Sequence, residues 1–235
     1  LYCGANGYWL LYERNLSKGV FPLNWLGQWH SRLEMIHSPD LLRWSGPTVL
    51  LEPNLEWQQN PALGRAVSNP CLLEVNGQFW LYYSAGLVQL KDCGFNEPLY
   101  IGIAVSDRLT GPYKPLEQPI LRPSASEPYC NLGAGALKVL RVEDGFVGFQ
   151  NGIYWDEARR ASGSAILLRG SSDGLNWRYL EPEPLLKPST GWMRSHIYAL
   201  DVRRNPADGR FYLFFNARSD WHWTRGREHI GLLQS

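Results

Sequence analysis

The chain has 235 residues, 23 basic against 22 acidic side chains and a formal net charge of +1, so it lacks the concentrated positive field that nucleic acid or an anionic membrane would attract. No stretch approaches the roughly 20 consecutive apolar residues of a membrane span, and the four cysteines, Cys3, Cys71, Cys93 and Cys130, match neither a zinc pattern nor a small disulfide scaffold. Aromatics are abundant, with 11 Trp, 12 Tyr and 8 Phe, and the length suits one all-β domain over residues 1–235.

The first predicted element is a hairpin turn, Asn6-Gly7, opening onto an aromatic strand, Tyr8-Trp9-Leu10-Leu11-Tyr12. Gly and Asn accept the positive φ that such turns require. A strand ending in serine follows, Leu33 to Ser38, then Trp44 and a Leu51-Glu52-Pro53 close. The same order returns with Asn76-Gly77 and Phe79-Trp80-Leu81-Tyr82-Tyr83, then Ile101 to Ser106, Tyr113 and Leu121-Arg122-Pro123. It returns again with Asp144-Gly145 and Phe146 to Phe149, Ala165 to Ser171, Trp177 and Leu186-Lys187-Pro188. The last copy holds Asp208-Gly209, the strand Phe211 to Phe215 and His229 to Ser235.

The turn glycines Gly7, Gly77, Gly145 and Gly209 are 70, 68 and 64 residues apart. A long fixed period with several short strands per unit predicts an all-β propeller of four-stranded antiparallel blades. A unit that cannot bury both faces of its own sheet must stack on its neighbours, and the aromatic strands supply that core.

Within a unit the strands run a to d from the centre outwards. The a-to-b connections are short, whereas the b-to-c connections, Glu13 to Ser31, Ser84 to Pro98, Asn151 to Gly163 and Asn216 to Arg227, read as long loops. Unstructured loops beyond about 12 to 15 residues are uncommon and usually functional. That face gathers Glu13, Arg14, His30, Asn69, Asn151, Asp156, Glu157, Arg194, His196, Asn216, Arg218, Asp220 and His222, with Trp25, Trp29, Tyr154, Trp155, Trp221 and Trp223. Aromatics around a few convergent polar groups describe a small-ligand cleft, and sugars present apolar faces that such rings cover.

Ser68-Asn69-Pro70 before Asn76-Gly77, Ile101 to Asp107, Gly111-Pro112-Tyr113, Ser171 to Trp177 and Ser195-His196-Ile197-Tyr198 resemble the five-bladed β-propeller glycosidases. That superfamily includes arabinanases, β-xylosidases, invertases and levansucrases, and the chain is glycoside hydrolase family 43-like. Five blades are implied, although the chain carries only about fourteen strand signals, too few for five complete four-stranded blades.

The resemblance further implies three carboxyl groups, each near the inner-strand start of one of the first three blades: a base or nucleophile, an orienting Asp and a Glu general acid. The first would precede Leu1. The second falls on Asn69, a neutral amide. For the third, Glu127 is the candidate, although it lies 18 residues before Gly145 where Asn69 lies 8 before Gly77; Asp156 and Glu157 are the fallback pair.

Glu13, Arg14, Trp29, Asn69, Asn151, Trp155, Arg194, His196, Asn216, Arg218, Asp220 and Trp221 are the expected sugar-binding residues. No cofactor is expected, and the resemblance allows a structural metal ion or water beside His196. The expected activity is glycosidic-bond hydrolysis on a carbohydrate partner, with no nucleic-acid or membrane partner. A non-catalytic glycan-binding propeller and a glycoside phosphorylase are the alternatives, the latter suggested by the arginines. A protein-interaction propeller of WD or kelch type fits less well, its period being about 40 to 50 residues.

Overall fold

The computed structural model describes residues 1–17, 29–220, 222 and 225–235. The described residues form four antiparallel sheets arranged as the blades of a propeller ring. The first contains β1 (Tyr2–Gly4), β2 (Gly7–Asn15), β3 (Trp29–Ser38) and β4 (Thr48–Leu51). A short hairpin, β5 (Gln59–Asn60) and β6 (Gly64–Arg65), joins that sheet through parallel pairing with the start of β3. The second holds β7 (Val67–Val75), β8 (Gln78–Gln89), β9 (Asn96–Ser106) and β10 (Lys114–Pro115). The third is built from β11 (Gly133–Val142), β12 (Gly145–Asp156), β13 (Ala161–Ser171) and β14 (Arg178–Tyr179), and the fourth from β15 (Ile197–Arg204), β16 (Phe211–Arg218) and β17 (Glu228–Gln234).

The repeated sequence markers have a common structural meaning. Asn76 and Gly77 both adopt positive φ, 52° and 79°, which matches the right-handed twist of the flanking strands in a two-residue hairpin. Each Leu-x-Pro close places its leucine opposite the third strand: Leu51 faces Leu33, Leu121 bridges Ile101 and Leu186 bridges Ile166. These leucines seal the outer edges of the first three sheets.

Alternation along the strands sends side chains to opposite neighbours. In β8, Leu81 and Tyr83 join Leu33, Met35, Leu51 and Val67 between the first two blades. Tyr82, on the other face, packs with Ile103, Leu137, Val139 and Phe146 towards the third. Phe149, Ile166, Ile197, Leu213 and Phe215 fill the space between the third and fourth. Each such buried side chain contributes about 1.5–3 kcal/mol, so the ring is held by stacking rather than by any single sheet.

Two of the expected long loops are mostly strand. β8 continues to Gln89 and β9 begins at Asn96; Tyr154, Trp155 and Asp156 pair with Gly163, Ser162 and Ala161. Two polar residues at the start of these segments are buried: the Asn151 side chain donates to the Ile197 carbonyl of the next blade at 2.9 Å, and Ser84, fully buried, accepts from Asn69 within its own blade. The other two connections fall partly outside the described residues.

The inner strands share a feature that no turn motif announces. β7, β11 and β15 each shift register against their neighbour, between Ser68 and Cys71, Gly133 and Ala136, and Tyr198 and Asp201. A left-handed residue sits in each bulge: Asn69 (φ 49°), Gly135 (φ 63°) and Ala199 (φ 47°). Bulges of this kind re-aim side chains and sharpen local twist. At Gly135 a Cβ would lie 1.9 Å from the Asn151 carbonyl oxygen, so no larger residue fits there.

Candidate functional site

A cavity of about 310 Å³ is lined by the inner strands of all four blades, with contributions from Tyr2, from Asn69 to Leu73, from Lys138 to Leu140 and from Asp201 to Arg203. It therefore lies on the ring axis. Leu11 and Glu13 of β2 also reach it, because β1 pairs with β2 only from Gly7 to Trp9. Alternate residues beyond Trp9 consequently front the cavity directly.

The Glu13 carboxyl accepts a hydrogen bond from the Trp29 indole N–H at 3.2 Å and is also bonded to Ser31. Burial is the larger influence and pushes its pKa upward despite these bonds, because removal from water penalises the ionised form. Asn69 donates to the Ser84 and Ser68 hydroxyls at 3.1 and 3.3 Å, which aligns its amide at the bulge. Lys138 Nζ donates to the Pro70 carbonyl at 2.9 Å, tying the third inner strand to the second. Arg203 donates from Nε to Asp201 at 3.1 Å. The cavity is thus lined both by a carboxyl whose pKa burial raises and by an aspartate paired with Arg203.

The remaining expected site residues are dispersed. Glu127 does not line this cavity: its carboxylate accepts from Arg169 Nη2 at 3.0 Å and from the Tyr179 hydroxyl at 2.5 Å. Arg169, almost fully buried, also donates to Gln150 and lies over the Tyr179 ring at 3.9 Å. The partners of Glu127 lie on the outer strands β13 and β14, whereas the carboxyl groups that line the axial cavity are those of Glu13 and Asp201. Asp156 accepts from the Ala158 and Arg159 amides at 3.0 and 3.1 Å and pairs with Arg159, which closes the β12–β13 turn. Glu157 and Trp155 line a separate cleft. Asn151 is consumed in the interblade bond to Ile197.

The fourth blade gathers several of the others. His196 is buried, with Nδ1 2.8 Å from the Ser195 hydroxyl, and burial pushes its pKa down to about 3. Arg218 and His222 add to that shift while Asp92 opposes it, so the imidazole is neutral near pH 7. Among the described residues no group of three His, Cys, Asp or Glu side chains converges; the donor set that a metal ion beside His196 would need is not found there. Asn216 donates to Glu228 at 3.0 Å, Arg218 lies 3.8 Å from the same carboxylate, and Asp220 caps the His222 amide at 3.0 Å. The Arg194 amide donates to the Arg218 carbonyl. Arg14, exposed at the end of β2, pairs across to Arg32. Trp221, like Trp25 and Trp223, lies outside the described residues.

Four charged residues were missed. Lys138, Asp201 and Arg203 line the axis, and their signal was a charge inside an inner-strand pattern, as in Leu137-Lys138-Val139 and Leu200-Asp201-Val202. Glu97 on β9 is partly covered, with its carboxyl inside the protein, and burial alone raises its pKa to about 7. Nothing local distinguishes it from a surface glutamate.

No protein-family model and no curated protein matches the chain. Solved structures do. A family 117 glycoside hydrolase from Zobellia galactanivorans superposes with a TM-score of 0.66 at 14% identity, over 99% of this chain and 64% of that one. An N-acetylgalactosamine deacetylase from F. plautii, in complex with blood group B trisaccharide, gives 0.58 at 19% identity over 100% and 70%. An α-L-arabinofuranosidase from Clostridium thermocellum gives 0.54 at 20% over 87% and 57%. At these identities the likeness establishes a shared β-propeller fold.

Proposed function

We propose that the protein is carbohydrate-active and cleaves a glycosidic bond in the axial cavity, with Glu13 as proton donor to the leaving oxygen. Leaving-group departure requires an acid that keeps its proton near neutral pH, together with an ionised carboxylate that activates water or attacks the anomeric carbon. The observation that carries this reading is the buried Glu13 carboxyl with its raised pKa, in the cavity that Asp201 also lines. The propeller's likeness to several glycoside hydrolases, and to a structure holding a bound trisaccharide, supports the choice of substrate class. A screen of aryl glycosides tests it: release of the aryl group by the wild type, abolished in Asp201→Asn and Glu13→Gln, is expected. Turnover that survives both substitutions would overturn it. Acceleration by added inorganic phosphate would identify a phosphorylase.

A second reading, glycan binding without turnover, is favoured by one observation. The three inner-strand bulges carry Asn69, Gly135 and Ala199, none of them a carboxylic acid. Retention of glycans on an array with no product release would select it.

A further inference from the structure

We propose that the cleft between the second and third blades is a separate sugar-binding subsite in which the Trp155 indole stacks on the apolar face of a neutral pyranose ring. The cleft has a volume of about 560 Å³ and shares no lining residue with the axial cavity. Trp155, Leu132 and Val88 form its apolar side, while Gln89, Lys91 and Glu157 are exposed around it.

Trp155 is held in place from several directions. The last inner-strand pairing with β12 is Gly133 to Ile153, so the backbone of Trp155 has no β11 partner. The Asn131 side chain takes that place: its Oδ1 accepts from the Trp155 amide at 2.7 Å and its Nδ2 donates to the Trp155 carbonyl at 3.5 Å. On the other side Trp155 pairs with Ser162. Asp92, reaching over from the second blade, accepts from both the amide and the hydroxyl of Ser162 at 2.9 Å. A side chain fixed before the ligand arrives loses little freedom on binding, and preorganisation of this kind converts contact into affinity.

The chemistry of the rim selects the occupant. Lys91 and Glu157 cancel in charge, which disfavours phosphate esters, nucleic acid and acidic peptides. The Gln89 amide offers a donor and an acceptor together, the pattern presented by neighbouring hydroxyls. An aromatic face beside a few polar groups accommodates a ring that is apolar on one side and polar at its edge.

The proposal rests on the carbohydrate reading but not on Glu13 chemistry. Affinity electrophoresis with soluble xylan, mannan, arabinan and levan tests it. Retardation of the wild type by at least one polysaccharide is expected. Trp155→Ala should weaken that binding at least about tenfold, in line with the loss of a buried aromatic anchor, whereas Trp155→Phe should retain most of it. If Trp155→Ala does not fold, as its thermal unfolding will show, the exposed pair Gln89→Ala with Lys91→Ala replaces it, with a several-fold loss expected. Wild-type binding by these variants would overturn the subsite, as would absence of retardation in a protein that does cleave aryl glycosides. A protein that neither binds nor cleaves any sugar overturns the carbohydrate reading itself, and the subsite with it.

Discussion

The axial cavity and the outer part of the third blade each place a glutamate against an aromatic donor, yet the charges around the two carboxyls differ. Glu127 meets the Arg169 guanidinium and the Tyr179 hydroxyl, so its charge is matched and its lone pairs are used. Glu13 meets a neutral indole and a neutral hydroxyl, and burial, which outweighs both bonds, raises its pKa. Residue type alone does not set a carboxyl's proton affinity; burial and the charge of its nearest donors do.

The sharpest way to break this contrast is Glu13→Gln. If Glu13 is the acid, kcat/KM on the best aryl glycoside falls by about 10²–10⁴-fold, while unfolding by urea is unchanged or slightly harder. The wild-type pH profile carries the same information. A donor with raised pKa keeps its proton above the ordinary carboxyl range, so activity should persist there and decline only as pH rises through that higher value.

Arg169→Ala should do the reverse. It strands the Glu127 carboxylate in a mostly buried setting and should cost about 3 kcal/mol of stability, read from urea unfolding, with kcat/KM per folded molecule little altered. Glu127→Gln should be milder because the amide still accepts from both partners. An activity loss from Glu127→Gln as large as that from Glu13→Gln would reverse the assignment.

Glu97 is the intermediate case, a carboxyl raised to about 7 by burial alone, with no charged neighbour contributing. Its folded pKa exceeds its unfolded value of 4.5, so the folded state binds the extra proton between those pH values. Stability is therefore greatest below pH 4.5 for this group and is lost as pH rises towards 7. Glu97→Gln should remove that loss, a gain on the order of 2 kcal/mol at pH 8, visible as a flatter plot of unfolding midpoint against pH. The smallest expected effect is from Trp29→Phe. Removing the indole N–H deletes a bond that favours ionised Glu13, so the alkaline limb of activity should move upward; a downward move would mean that Trp29 acts otherwise.

Much of the fold was legible because its markers are local. Asn76-Gly77 needs only its own φ angles to define a hairpin, and alternation in Leu81-Tyr82-Tyr83 determines which two faces a strand presents. The loops misread after Ser84 and Asn151 show the limit. Ser84 and Asn151 are satisfied by Asn69 and by Ile197, so polarity there signalled a bond across the sheet or between blades and not solvent. The candidate cavity was legible only in part: Glu13 and Asn69 were singled out and both line it, and Trp29 bonds to Glu13, but Lys138, Asp201 and Arg203 carried no local signal beyond a charge inside a strand pattern.

What the chain encodes by itself is the repeating blade: turn chemistry, strand alternation and the leucine that closes each sheet act over a few residues and need no distant partner. Which polar groups meet at the axis was decided only by the ring. Stacking of the blades brings Glu13, Asn69, Lys138 and Asp201 to one cavity, and the raised pKa of Glu13 and the Lys138 bond to Pro70 follow from burial and neighbours that exist only once the blades have stacked.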